Sequence, residues 1–301
     1  MTKIAVIINP ISGTGGSPEV ARQRAVMAAA CLDRHGLAGD VFVTERTGHA
    51  RELARASVAG GVAGGVSLVA AWGGDGTVNE VGSVLAFGPI PLLIIPSGSG
   101  NGLASELGLP RRAADTLELL RTGHDRRIDA GEIDGRLFFN VAGIGLDARV
   151  AQRFAENRLR RGFLRYLQFT AQELFNDPPD AHVIATESEV IRARTMLIAI
   201  ANGRQYGNGA LIAPSARLDD GRLEVVVIRQ RSPIEALFQV PRVFAGQIER
   251  VRGVTTRSAE RVRIDGSGAV VFHVDGEPYV GGATLEARVH AGALSVRVPA
   301  A

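Results

Sequence analysis

Val66-Ser67-Leu68-Val69-Ala70-Ala71-Trp72-Gly73-Gly74-Asp75-Gly76-Thr77-Val78-Asn79-Glu80 joins a short apolar run to a glycine-rich turn and then to a helix start. An apolar run of this length, bounded by glycines, reads as a buried strand. Glycines allow backbone N–H groups to approach a phosphate closely, and a helix N-terminus favours negative charge. Asp75 adds one carboxylate in the middle of that cradle, where a magnesium–phosphate complex can use it. Asp-Gly is also a common turn pair, and Thr77 with Glu80 has the spacing of a capping box at the start of a helix over 78–87.

The rest of the first 120 or so residues repeats this grammar. Apolar strands at 4–8, 41–44, 66–71 and 92–95 alternate with helices that begin at Ser17-Pro18-Glu19 and span 48–59 and 78–87. Alternating short strands and amphipathic helices predict a parallel sheet covered by helices, with ligands at the carboxyl ends of the strands. Those ends are 9–16, 44–47, 73–77 and 96–102, and three of them are glycine-rich. Beyond Gly123 the pattern changes. Strand-like runs at 127–132, 137–142, 181–187, 191–201, 223–229, 255–264 and 270–274 are linked by Asp-Gly turns at 134, 220, 265 and 275. They predict an antiparallel β-rich second domain, interrupted by helices over about 146–174 and after the capping box Ser232-Pro233-Ile234-Glu235. The expected division is 1–123, with 288–301 returning to it, and 124–287.

Composition bounds the chemistry. The chain has 301 residues, 46% hydrophobic and 22% charged, with a formal net charge of +3. That size favours two domains, and the charge does not point to a nucleic-acid partner. Lys3 is the only lysine, so neither a Walker A loop nor the strand lysine of a protein kinase is present. Any nucleotide phosphate must be held by backbone amides, arginine and metal. Cys31 is the only cysteine, which excludes an internal disulfide and fits a reducing cytoplasm. The histidines show no metal-ligand spacing. Residues 81–105 carry no charge, but Pro89, Pro91 and Pro96 break them up. The chain reads as soluble, peripheral to a membrane at most.

Four loops carry the candidate chemistry: Asn9-Pro10-Ile11-Ser12-Gly13, Gly73-Gly74-Asp75-Gly76-Thr77, Pro96-Ser97-Gly98-Ser99-Gly100-Asn101, and Asp275-Gly276-Glu277. Each has a plain reading as a turn; the coincidence of three on one sheet edge favours phosphate binding. The acidic pair of the fourth reads either as an ordinary hairpin or as a general base for a substrate hydroxyl.

Together with Phe139-Asn140-Val141-Ala142-Gly143-Ile144-Gly145, Ala213-Pro214 and Asp219-Asp220-Gly221, these motifs follow the order seen in the bacterial diacylglycerol/lipid kinase family, which this chain resembles along essentially its whole length. The family is similar to sphingosine and ceramide kinases and more distantly to NAD kinases. The resemblance implies a Rossmann-like α/β nucleotide domain, a β-rich domain and an active site in the cleft between them. It implies ATP contacts from Asn9, Ser12, Gly13, Thr44, Gly74, Asp75, Gly76, Thr77, Val78, Asn79, Glu80, Ser99 and Asn101. Asp75 would act through Mg2+ at the phosphates, and Glu277, with Asp275 beside it, would accept the proton. A second, structural Mg2+ would sit on Asp220 and the carbonyls of Arg217 and Arg222.

The implied reaction is transfer of the γ-phosphoryl group of ATP to a lipid hydroxyl, most simply diacylglycerol to phosphatidic acid, at the cytoplasmic membrane face, by a monomer or a homodimer. Gly102 stands where diacylglycerol-type members carry an acid, which brings that loop closer to the sphingosine type; a phosphatidylglycerol-type substrate is a further alternative. An NAD kinase is the next reading, though no Gly-Ser-Thr-Ala-Tyr-like stretch is present. An oxidoreductase built on Ser12-Gly13-Thr14-Gly15-Gly16 and a non-catalytic sensor are the readings from other classes. The arginine-rich stretch 150–174 reads either as an amphipathic helix packed on the second domain or as a surface for anionic lipid.

Overall fold

The computed structural model describes residues 3–13, 17–59, 65–98, 100–156, 172, 180–207 and 209–300. The chain forms two compact units, Met1–Ile128 with Gly292–Ala301, and Asp129–Ala291. It passes from one to the other twice, within strands β5 (His124–Ile133) and β15 (Thr284–Val298).

The first unit is built on β1 (Lys3–Ile8), β2 (Ala38–Val43), β3 (Val66–Gly73) and β4 (Leu92–Pro96). All pair in parallel, in the order β2-β1-β3-β4, and β4 takes the end of β15 as its other neighbour through Val296. Helices α1 (Pro18–Arg34), α2 (His49–Val58) and α3 (Asp75–Leu85) connect the strands. Short helices α4 (Gly102–Glu106), α5 (Ala113–Leu117) and α6 (Leu119–Thr122) follow β4. Val6, Ile7, Ile8, Val69, Ala70, Ala71, Leu92 and Ile95 are wholly buried, as expected of parallel strands that are covered on both faces. Ser17 caps α1 by accepting from the Val20 amide at 3.2 Å, with Pro18 at the first position. The expected parallel α/β domain is therefore present. Its strand order changes direction beside β1, the arrangement that opens a ligand crevice at the carboxyl ends of β1 and β3.

The second unit is antiparallel. Strands β6 (Arg136–Phe138), β7 (Val141–Gly145), β8 (Asp180–Thr186), β9 (Val190–Ala201), β10 (Leu223–Arg229), β11 (Val254–Ala259), β12 (Arg261–Asp265), β13 (Val271–Val274) and β14 (Glu277–Val280) join parts of β5 and β15. Long β9 is the hub: its first half pairs with β8, and its second half lies between β7 and β10. Phe138, Ile184, Ile198, Ile200, Val227, Ile264, Phe272 and Leu285 fill one core. Helices α7 (Leu146–Glu156) and α8 (Pro233–Phe244) interrupt the strands.

Three local expectations are corrected. The run read as one strand over 255–264 is two, β11 and β12, which pair with β10 and with β8 and β15 respectively. The break falls at Glu260, where the amides of Glu260 and Arg261 both turn to the Glu187 carboxylate. The run 137–142 likewise divides into β6 and β7 at Phe139-Asn140, whose amides are taken by a side chain instead of a ladder. Helix α3 begins at Asp75, not Val78, because the Val78 amide already bonds the Gly74 carbonyl. The stretch 150–174 lies outside the described residues except for 150–156 and Gln172. Among the described residues, no helix is long and apolar enough to cross a membrane.

Candidate active site

In the first unit the backbone ladder continues one residue past the ends of the strands. The Asn9 amide bonds the Trp72 carbonyl at 2.9 Å, Thr44 bonds Ile8 at 2.8 Å, and Ser97 bonds Gly73 at 3.0 Å. The loops that follow are thus started from fixed points. Asn9 then makes an Asx turn, its Oδ1 accepting from the Ile11 amide at 3.1 Å, while its Nδ2 donates to Thr77 Oγ1 at 2.8 Å. Ser12 Oγ donates to the Asn9 carbonyl and lies 2.6 Å from Ser97 Oγ.

The glycines have a specific use here. A Cβ on Gly98 would sit 2.7 Å from the Gly74 Cα, and one on Gly13, whose φ is +91°, would run into the Ser97 carbonyl. A Cβ on Gly73 would collide with the Thr77 side chain. These positions are glycine so that three loops can touch one another, in addition to any approach to a ligand.

Asp75 is the centre of the knot. Its Oδ1 accepts the Gly102 amide and its Oδ2 the Asn101 amide, each at 3.0 Å. Asn101 adopts a left-handed conformation, φ 50°, and its side chain closes the turn on Gly98 with bonds of 2.8 and 2.7 Å. The carboxylate therefore ties the β3–α3 turn to the loop after β4.

Sequence reasoning missed the clamp that holds this edge from behind. Arg24 of α1 donates to the Asn9 carbonyl at 2.7 Å, to Ser12 Oγ at 3.0 Å and to the Ser12 carbonyl at 2.9 Å. Its guanidinium also lies 5.7 Å from the Trp72 ring centre. Burial draws its pKa below the ordinary arginine value. Among the many arginines of this chain nothing marked it out.

One sequence expectation is overturned. Thr77 and Glu80 do not form a capping box on α3: Gly74 is its N-cap, and Glu80 caps a different helix. Glu80 Oε1 and Oε2 accept the amides of Gly48 and Arg51, at 3.0 and 3.3 Å, at the start of α2. Val78 is buried, and its amide is spent inside α3; Asn79 accepts from the Ser83 hydroxyl at 3.4 Å. Asn9, Ser12, Gly13, Gly74, Asp75, Thr77 and Asn101 are thus joined directly, with Thr44 beside β1, whereas Val78 and Asn79 belong to the body of α3. Gly76 occupies its second position. Ser99 lies outside the described residues.

In the second unit, β13 and β14 form a hairpin in which Val274 faces Glu277 across Asp275 and Gly276. Both turn residues have positive φ, 47° and 87°, the type I′ geometry that selects Asp-Gly. Asp275 Oδ1 accepts the amides of Asn140 and Val141, at 3.0 and 3.1 Å, and Oδ2 accepts that of Phe139 at 3.0 Å. Its carboxylate is a structural acceptor for the β6–β7 link. Glu277 is half-buried at the first position of β14.

The turn 217–222 is anchored from below. Buried Asp129 donates its amide to the Leu218 carbonyl at 2.6 Å and accepts the Gly221 amide at 2.7 Å. Asp220 is exposed, and its Oδ1 accepts the Arg222 amide at 3.1 Å. Asn202, wholly buried, spans the carbonyls of Asp129 and Phe139 with two bonds of 2.9 Å. Asp129, Asn202 and Phe139 therefore connect this turn to the segment that Asp275 holds.

The sequence model of the diacylglycerol kinase catalytic domain matches residues 3–133, and that of the YegS C-terminal NAD kinase beta sandwich-like domain matches 140–298. A protein of Mycobacterium tuberculosis named "Diacylglycerol kinase" is 33% identical over 282 residues, 91% of this chain and 88% of that protein. A Pseudomonas savastanoi protein named "Probable lipid kinase YegS-like" is 31% identical over 285 residues, again 91% and 88%. The crystal structure of a diacylglycerol kinase from Bacillus anthracis shares the fold, with a TM-score of 0.70 at 19% identity over 98% of this chain and 96% of that one. The chain belongs to the diacylglycerol kinase/YegS family, and it is a lipid kinase that uses ATP.

Proposed function

We propose that this lipid kinase transfers the γ-phosphoryl group of ATP to the free hydroxyl of diacylglycerol, yielding phosphatidic acid and ADP. The observation that best supports nucleotide binding is the knot of three loops around Asp75, in which glycine backbone, Asn9, Ser12 and Thr77 are held together without a lysine. The choice of diacylglycerol follows the name of the 33% identical relative.

In this reading the backbone amides of Ser12–Gly13 and Gly74–Thr77 bind the phosphates, with Asn9, Thr44, Ser99 and Asn101 completing the nucleotide site. Glu277 takes the proton of the lipid hydroxyl, that oxygen bonds to the γ-phosphorus, and the bond from phosphorus to the β–γ bridging oxygen breaks as ADP departs. Asp275 holds the backbone around the base. The carboxylate at Asp75 suits Mg2+: it is a hard oxygen donor at the first position of α3, among the glycine loops, and the ion when bound would neutralise charge on the phosphates. Exposed Asp220, with the Arg217 and Arg222 carbonyls, suits a second, structural Mg2+. Because diacylglycerol resides in bilayers, the enzyme is expected to work at a membrane surface, which co-sedimentation with anionic vesicles checks.

The test is incubation with γ-labelled ATP, Mg2+ and, in parallel, dioleoylglycerol, phosphatidylglycerol, sphingosine or NAD. Labelled phosphatidic acid is expected; label in one of the other products alone would replace the substrate assignment. Asp75→Asn and Glu277→Gln are each expected to lower kcat about 10²- to 10⁴-fold with circular dichroism unchanged. Wild-type turnover in Glu277→Gln would remove the base from the mechanism.

A further inference from the structure

Behind the acidic hairpin lies a buried polar chain that the reaction as described leaves unused. His273 and Asp147 are 4% and 3% exposed. His273 Nε2 lies 3.0 Å from Asp147 Oδ2, and that same oxygen accepts the Tyr206 hydroxyl at 2.6 Å. Asp147 Oδ1 accepts the Ala148 amide at 2.8 Å. On the far side of the ring, His273 Nδ1 lies 3.2 Å from the Gly276 amide. A Cβ on Gly143, opposite His273 on β7, would sit 2.6 Å from His273 Nε2, so glycine there leaves the space that the pair fills.

The direction of these bonds is settled by what each atom can do. An amide N–H only donates, so Nδ1 presents its lone pair to Gly276, and the ring proton sits on Nε2, where it is given to the Asp147 carboxylate. Asp147 thus selects the tautomer, with Tyr206 sharing its charge. The Gly276 amide lies inside a two-residue turn, where the strand ladder offers it no acceptor; the imidazole supplies one.

We propose that His273, oriented by Asp147 and Tyr206, is a positioning residue that fixes the Asp275-Gly276-Glu277 turn and so aims the Glu277 carboxylate at the lipid hydroxyl. It touches no substrate. This rests on the reading of Glu277 as the base. The alternative is that His273 serves only to satisfy the buried Asp147 charge.

Two substitutions separate these roles. In His273→Asn the side-chain oxygen replaces Nδ1 and keeps an acceptor for Gly276, but the donor to Asp147 is lost. In His273→Gln the amide nitrogen replaces Nε2 and keeps the donor to Asp147, but the Gly276 acceptor is lost. The measurements are hydrogen exchange of the Gly276 amide, kcat and KM with labelled ATP and a total lipid extract, and thermal melting. His273→Gln is expected to melt close to wild type, to exchange at Gly276 about tenfold faster and to lose kcat about ten- to hundredfold with KM for ATP unchanged. His273→Asn is expected to melt lower yet keep Gly276 protected and kcat within about threefold once folded at low temperature. If His273→Asn is the worse variant in both activity and stability, or His273→Gln turns over like wild type, the positioning role is overturned. Glu277→Gln runs alongside: wild-type turnover there would sink the base assignment alone, while Gly276 exchange would still judge the contact.

Discussion

Asp75 and Asp275 are held in the same way in two different settings. Among the described residues, the Asp75 carboxylate accepts the amides of Asn101 and Gly102, and that of Asp275 those of Phe139, Asn140 and Val141. Around Asp75 the supports are local: strand ends, short turns and glycines that let loops touch. Around Asp275 they include buried side chains far away in sequence, Asp129, Asn202 and Asp147, together with His273 of the hairpin's own first strand. A parallel sheet delivers every loop to one edge by topology, so little more than small residues is needed to knit them. Antiparallel strands leave their turns at both ends, and a particular hairpin must be fixed by polar groups brought in from elsewhere.

That contrast can be broken. Asp275→Ala removes the acceptor of three amides and places alanine at φ 47°, whereas Asp75→Ala frees two amides at a more open edge. With about 1–3 kcal/mol for each buried amide left unpaired, Asp275→Ala is expected to lose several kcal/mol in urea unfolding and Asp75→Ala clearly less. Equal midpoints would contradict the difference between the two regions. Gly98→Ala tests the glycine contacts directly. Its Cβ meets the Gly74 backbone, so the expected loss is about 1–3 kcal/mol, with nucleotide affinity reduced about tenfold in calorimetry with a non-hydrolysable ATP analogue. Unchanged affinity would mean that the loops need not touch to bind nucleotide.

Smaller effects sharpen the picture. Glu80→Gln weakens a carboxylate cap on α2 and is expected to lower stability by about 0.5–1 kcal/mol without moving KM for ATP. A raised KM at unchanged stability would instead support a contact of Glu80 with the nucleotide. The smallest effect is one of pH. His182 is buried, its Nδ1 2.8 Å from Thr195 Oγ1, and burial depresses its pKa. The unfolded chain then binds the proton first. The contribution is intact above the unfolded value of about 6.5 and is lost as pH falls through the lower folded value. His182→Gln should flatten the decline of the melting temperature below that pH, and a slope identical to wild type would refute this.

The fold was legible where burial imposes a pattern. The strands β1, β3 and β4 are covered on both faces and read as unbroken apolar runs. Less of the second unit could be read. The run over 255–264 looks continuous, and only Glu187, more than 70 residues earlier, shows why the chain turns at Glu260. Strands β14 and β15 escaped the reading, the first because it is four residues long and contains Pro278. At the candidate site, motifs written in one stretch were found. Arg24, Asp147, Tyr206 and His273 were not; Asp147, for one, lies 126 positions from His273 and 59 from Tyr206.

By itself the amino-acid order determined the two kinds of domain, the absence of lysine chemistry and the loops that resemble those of lipid kinases, because strand burial and turn geometry are properties of neighbouring residues. Only the tertiary structure decided that Glu80 caps α2, that the glycines serve loop-to-loop contact, and that a histidine with its buried aspartate stands behind the acidic turn. Hydrogen bonds depend on distances of about 3 Å between side chains, and such distances between residues far apart in the chain exist only once it has folded.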